Sequence, residues 1–353
     1  MYIIIAILIF GILITLHELG HFVAAKIFGV QVNEFSIGMG PALFQKTVGD
    51  TAYSIRALPI GGFCAMEGEE DASDNPKALN NKGLFARFVI FSAGAFMNFL
   101  AGFLILLILC GNLPFMYQPV ITGFAEGFTA QGEQGLREGD RILSVDGERI
   151  YIYEDISIFL GMGNGESYDF VVLRDGEKVV LNDLALAPKA YPNGDGTSSV
   201  RFGIHFGERV EATPLIKFKS ACLNAVDFVR LVWYSLKMLV TGQVGLSDMS
   251  GPIGIVTTIS DVGESSVSVW AAVANIAYLT ALIAINLAVM NLLPLPALDG
   301  GQIFIMFVVA LVKKVTGRPV NAKYAGYLNY AGFVALMVFM LVVTMSDILK
   351  LLT

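Results

Sequence analysis

Charge is scarce in this chain. Only 15 % of its 353 residues are Asp, Glu, Lys or Arg, while 55 % are hydrophobic; a typical soluble domain has roughly 25 % charged residues. That deficit places the chain among membrane proteins before any motif is read. A basic stripe is missing too. Lysines and arginines are scattered along the chain, and the formal net charge is -7, so nothing provides the electrostatic footprint of a nucleic-acid binder. No nucleic-acid partner is expected. Cysteine is limited to Cys64, Cys110 and Cys222, far apart and never spaced as C-x-x-C, which argues against both a disulfide framework and a thiolate zinc site. Any metal must be held by nitrogen and oxygen. The first sixteen residues, MYIIIAILIFGILITL, lack the basic n-region and small-residue cleavage site of a signal peptide. The expectation is that they are retained.

What the chain does have is long apolar runs at both ends. Residues 2–28, 86–110, 269–293 and 325–345 each approach or exceed the ~20 residues that cross a bilayer. The stretch 301–312 is too short to cross alone and is read as prolonging the third helix beyond a break at Pro294 and Pro296. Between the first two runs lie Lys26, Lys46, Arg56, Lys77, Lys82 and Arg87, and between the last two Lys313, Lys314, Arg318 and Lys323. The positive-inside rule then places both connecting segments in the cytoplasm, with both termini outside.

The segment 40–66 alternates Thr51, Tyr53 and Ile55 with smaller or polar residues, and Gly61-Gly62 follows Pro59. It reads as a membrane-associated β-hairpin, permitted at membrane depth only where protein or water covers its backbone. Glu67, Glu69, Glu70, Asp71 and Asp74 mark the return to water. Strand-like runs VITGF, DRILSVDG, DFVVLRDG and KVVLNDLAL fill the middle of the chain, with hairpin signals at Asp146-Gly147 and Asp175-Gly176. Residues 215–243 mix Lys217, Asp227 and Arg230 with Phe218, Phe228 and Trp233, as in a helix lying on a membrane surface.

Histidine is rarer still: there are three, and two of them stand in the run H-E-L-G-H at residues 17–21. On a helix, His17 and His21 are four residues apart and share a face, so both reach one zinc ion, and Glu18 stands beside that face to take a proton from water. The bland alternative is a polar end on a membrane helix. An ionisable cluster inside an apolar run is by default functional. Two histidines leave a catalytic zinc one protein ligand short. Asp299, in NLLPLPALDGG, is the one acidic residue in the broken third span, although a simple D-G turn at the membrane edge would account for it equally well on its own. His205 reads as a surface or strand residue.

HELGH in the first membrane helix, the N-x-x-P-x-P-x-L-D-G run from Asn291 to Gly300, and Gly-Gly-Phe at 61–63 together resemble the site-2 protease family of intramembrane metalloproteases. GLREGDRILSVDGERI at 135–150 resembles the core of a PDZ domain, and a PDZ domain between the second and third membrane helices is similar to the bacterial regulator-of-sigma proteases. The resemblance covers nearly the whole chain. It implies a multi-pass α-helical membrane protein of the bacterial cell membrane, with four transmembrane helices and one inserted extracytoplasmic PDZ (α+β) domain at 112–210. The amphipathic region at 211–245 and the membrane halves 1–111 and 246–353 complete it. It further implies Zn2+ held by His17, His21 and Asp299, Glu18 as the catalytic base, and an extended substrate paired to the hairpin near Gly61 and Gly62. Asn98, Asn291 and Pro294 would contact that substrate, a membrane-embedded peptide of a single-pass protein such as an anti-sigma factor or signal-peptide remnant. The family often has Gly-Pro before the second-span asparagine, where this chain reads Gly94-Ala95. Two rival classes are a transporter or metal channel, disfavoured by the lack of internal repeats, and a catalytically silent PDZ adaptor.

Overall fold

The computed structural model of the chain describes residues 1–69, 73–192, 198–245, 249–317 and 322–352. Glu70, Asp71, Arg318 and the side chain of Lys323, used in the charge readings above, lie outside the described residues. Two compact units emerge: Met1–Leu106 with Phe228–Thr353, and Leu107–Asp227.

Among the described residues four helices are long and apolar enough to cross a membrane, Tyr2–Ile27, Leu84–Asn112, Val269–Asn291 and Gly326–Leu351, and all but the end of the second belong to the first unit. Helix α1 (Tyr2–Ile27) ends in a Schellman motif, because Gly29 takes φ +65. The Val30 N–H then donates to Ala25 O at 2.8 Å and the Gly29 N–H to Lys26 O at 3.2 Å, satisfying two orphan carbonyls. Directly after it come strands β1 (Val32–Val48) and β2 (Thr51–Met66). The pairing starts at Val32 rather than near residue 40, and it is more than a hairpin. Phe35 pairs with both Tyr53 and Cys64, and Tyr53 pairs with both Phe35 and Lys46. Two bent strands therefore lie as four rows, in the order 42–48, 51–58, 32–39, 61–66. The bends fall at Gly38 and Gly61, which take φ +85 and +86; at Gly38 a side chain would meet Leu58 O at 2.5 Å.

The base of this sheet is clamped to α1. Lys26 Nζ donates to Thr51 Oγ1 at 2.7 Å, and Thr51 Oγ1 donates to Val32 O at 2.8 Å. Ala24, Ala25, Val30, Val32, Cys64, Met66, Leu79, Ile90 and Phe91 close a core between α1, the sheet and helix α2 (Leu84–Asn112). Farther along the sheet, the Pro59 carbonyl comes so near Gly11 that a Cβ there would sit 2.9 Å from it. Gly11 is six residues before His17, roughly 9 Å along a helix axis. The sheet therefore reaches back alongside the middle of α1.

The other half of this unit begins with the end of helix α4 (Pro214–Val240) and continues through α5 (Pro252–Ser265), α6 (Val269–Asn291), α7 (Asp299–Thr316) and α8 (Ala322–Leu352). Ser268 caps α6, accepting from the Ala271 N–H at 3.1 Å. As the prolines imply, the helix stops at Asn291 and restarts at Asp299. Helix α5 has no counterpart in the sequence reading. It packs with α6 on the first half of α1 around Ala6, Leu13, Ile259, Ile276, Ile283 and Ala284.

In the second unit the strands β3 (Phe115–Phe124), β4 (Arg141–Val145), β5 (Glu148–Arg149), β6 (Ser167–Arg174), β7 (Glu177–Ala185) and β10 (Ile204–Glu211) form one antiparallel sheet of order β10-β3-β4-β6-β7, with β5 on β4. Helix α3 (Glu154–Met162) follows β5, and β8 (Lys189–Pro192) pairs with β9 (Ser198–Arg201). Both D-G hairpin signals are realised. Asp146 and Gly147 take φ 49 and 79, and Asp175 and Gly176 take 50 and 87, the two positive values of a type I′ turn. His205 is an exposed strand residue, as read, but β10 as a strand was not among the runs picked out, nor were α3 and the β8–β9 pair. Arg174 forks onto Asp140 through Nε at 2.8 Å and Nη2 at 2.7 Å and reaches Gly135 O at 2.7 Å, tying the 135–140 loop to β6.

Candidate metal centre

His17 and His21 lie one turn apart on α1, and Asp299 is the first residue of α7. The broken third helix brings that carboxylate to the histidines. Asp299 Oδ2 is 3.1 Å from His17 Nε2 and 3.3 Å from His21 Nε2, and the two Nε2 atoms are 3.2 Å apart. Among the described residues this is the one group of three metal-ligating side chains. His21 is buried, and the side chains of His17 and Asp299 are 12 % and 19 % exposed.

Three atoms so close need something between them. Bonds of about 2.0–2.1 Å in a tetrahedral site put ligand atoms about 3.3 Å apart, and this is the spacing observed. His21 Nδ1 faces Ile90 O at 2.8 Å. Since a carbonyl only accepts, Nδ1 carries the proton and Nε2 presents a lone pair. Asp299 Oδ2, despite its two close neighbours, has no hydrogen bond of sound geometry, and it is buried. A cation satisfies this convergence of acceptors and hydrogen bonding does not, so the residues fit a zinc ion.

Placement of the carboxylate rests on local strain and on glycine. Ala297 takes φ +75, a left-handed conformation unusual for a residue with a side chain. Gly300 and Gly301 let residues 292–295 fold back over the start of α7, since any Cβ there would lie 2.1–2.3 Å from their backbone. Glu18, one residue on from His17, flanks the histidine face and reaches toward β2. Its Cγ is 3.7 Å from where a Gly62 Cβ would be, and its carboxylate interacts with the Cys64 backbone N–H. Row 61–66 is an edge of the sheet, paired only to 32–37, so the glutamate lies beside an unpaired strand edge.

Of the other residues singled out from sequence, Gly61 and Gly62 fall on that edge. Asn98, four residues beyond Gly94 and so on the same face of α2, is 1 % exposed with an unpartnered Oδ1. Asn291 closes α6 half-buried, and Pro294 is exposed in the break. No contact found between them and the His-Asp group joins these last two to it. Ile90 and Gly94 were not foreseen as parts of the site. A backbone carbonyl leaves no mark in a side-chain pattern, and the glycine was noticed only as half of an altered Gly-Pro step.

A histidine pair one helical turn apart, completed by a distant carboxylate and flanked by a glutamate within apolar helices, defines a metal-dependent hydrolase set in a membrane protein. The chain belongs to peptidase family M50, which matches residues 5–339. It is 36 % identical over 357 aligned positions, 99 % of each chain, to a Clostridium perfringens protein whose name assigns it provisionally to the zinc metalloproteases. It is 32 % identical to a similarly named protein of Nostoc, over 94 % of this chain and 92 % of the relative. With the regulator of sigma-W protease RasP of Bacillus subtilis it shares 28 % identity, over 98 % of this chain and 97 % of the relative. Membership of a peptidase family does not favour the transporter and adaptor readings.

Proposed function

We propose that this chain is an intramembrane zinc metalloprotease in which His17, His21 and Asp299 hold the ion and Glu18 is the catalytic acid-base. The observation that carries the assignment is the convergence of those three side chains beside Glu18 at an unpaired strand edge. A zinc ion there, when bound, supplies Lewis-acid polarisation of the scissile carbonyl and of water. Glu18 takes the proton from the attacking water and returns it to the departing nitrogen. Row 61–66 holds the substrate as an added strand. That requirement is physical: a helical membrane segment hides its peptide bonds in its own hydrogen bonds, and an extended one exposes them. Asn98, with its unpaired buried oxygen, and Asn291 and Pro294 at the helix break are assigned to the unwound substrate.

The substrates are membrane segments of single-pass proteins. The likeness to a regulator of sigma-W protease supports an anti-sigma factor among them. Charge placement supports termini on the outer face of a bacterial cell membrane and the loops after α1 and α7 inside. Residues 112–210 are read as a PDZ domain on the outer face, which binds an extended peptide or screens substrates by size. Glu18→Gln keeps the ligands and removes the acid-base. Cleavage of a transmembrane substrate in liposomes should fall by at least about a hundredfold, with zinc content unchanged. Retained proteolysis would sink the assignment.

A further inference from the structure

Helix α2 meets the histidines with backbone alone. A Cβ built on Gly94 would lie 2.4 Å from His21 Nε2, 2.8 Å from His17 Nε2 and 2.7 Å from His17 Cε1. These are the two nitrogens assigned to the metal, so the glycine Cα covers the side of the site that faces α2. The His21 ring is not free to step aside. His21 is pinned by Ile90 O at 2.8 Å, and the two rings meet edge to face with centroids 4.8 Å apart. In an α-helix the acceptor for the Gly94 N–H is that same Ile90 carbonyl, so one turn of α2 grips His21 at Nδ1 and clears the space at Nε2. Withdrawing the helix as a whole would break the Ile90 contact. A turn away, the approach is equally tight: a Cβ on Gly20 would meet Ala93 O at 2.2 Å.

We infer that Gly94 is a positioning residue of the metal centre: its missing side chain is what allows His17 Nε2 and His21 Nε2 to converge, and any larger residue drives them apart. The inference rests on the metal-centre reading above. It also sets the direction of approach. With α2 lying against the site on the Gly94 side, water and peptide reach it from the side of Glu18 and row 61–66.

The test compares purified wild-type protein with Gly94→Ala and with Gly111→Ala, a glycine on the same helix with nothing within 4 Å of its Cβ position. Zinc per chain is measured by mass spectrometry, and Co(II) affinity and ligand-field absorption by titration of the stripped protein. Gly94→Ala should weaken metal binding by at least about tenfold and alter the Co(II) bands, while Gly111→Ala matches wild type. Wild-type affinity and spectrum in Gly94→Ala would overturn the inference. If wild-type protein itself takes up no metal, the metal-centre reading fails first, and the two failures are distinguishable. Stability supplies an independent arm. In a His17→Ala/His21→Ala background the clash is gone, so adding Gly94→Ala should leave the melting temperature unchanged or raise it, alanine being the better helix former. An equal loss in both backgrounds, or a triple variant that fails to fold, would show that the glycine serves helix packing and not the ligands.

Discussion

At the scale of single residues, the site depends on backbone conformations that few residue types tolerate. Ala297 stands two residues before Asp299 at φ +75, and a left-handed conformation costs a residue with a Cβ roughly 1–2 kcal/mol. Ala297→Gly should therefore retain full zinc content and raise the melting temperature slightly. Ala297→Val, whose branched side chain resists this conformation more strongly, should lower both. Equal metal content in both variants would show that the strain does not place the carboxylate. Much of this centre was legible in the sequence because side chains advertise it. His17 and His21 stand at ligand spacing in an apolar run, and Asp299 is an acid after two helix-breaking prolines. The remainder acts through main chain and through absence. The Ile90 carbonyl is a group every residue has, and Gly94 contributes by what it lacks.

Among elements, the least anticipated is α5, and a buried acid holds it. Asp347, 3 % exposed within the last apolar helix, accepts from the Gly251 N–H through Oδ1 at 3.2 Å and from the Gly254 N–H through Oδ2 at 2.8 Å. Lys350 Nζ adds a bond to Met249 O at 2.9 Å. A Cβ at Gly251 or Gly254 would lie 2.8 or 3.0 Å from that carboxylate, so S-G-P-I-G is a glycine socket for a side chain nearly a hundred residues away. Neither the helix nor its partner across the fold was read from the sequence, since the socket is formed by backbone N–H groups and glycines that gain meaning only beside Asp347. A carboxylate at a helix N-terminus meets its unpaired donors and its dipole together. Asp347→Ala should cost roughly 2 kcal/mol and expose the segment ahead of α5 to added protease. Asp347→Asn, with one acceptor oxygen left, should fall between. An unchanged melting temperature in Asp347→Ala would show that α5 is held by its apolar packing alone. The doubled sheet was half legible for a related reason. Alternation in 51–56 revealed strands, but a strand such as Glu34–Ile37, paired on both edges, looks no different in sequence from one paired on a single edge.

For the whole molecule, the decisive quantity is how many times the chain crosses the bilayer, since this sets which segments share a compartment. If each of the four apolar helices among the described residues crosses once, as proposed above, the segments after α1 and α7 share one face, and residues 112–210 and both termini share the other. Lys26 closes α1, Lys77 and Lys82 come just before α2, and Lys313 and Lys314 close α7; within about 15–20 residues of a span end such charges resist translocation. His17 and His21 sit in the later part of α1, and Asp299 opens the helix that leads to Lys313 and Lys314, so the proposed topology puts the chemistry in the cytoplasmic half of the membrane. Single-cysteine labelling in intact cells, in a background with Cys64, Cys110 and Cys222 replaced, tests this directly. Glu148→Cys, half-buried on β5 directly after the exposed Asp146–Gly147 turn of the second unit, should react with an impermeant maleimide from outside. Lys77→Cys should stay unlabelled until the membrane is opened. The reverse pattern would invert the topology and put the site in the outer half, where a substrate would have to be presented from the opposite side. Labelling of both in intact cells would put them on one face, with an even number of crossings between them, and then α2, the apolar helix that separates them, would be the element misread.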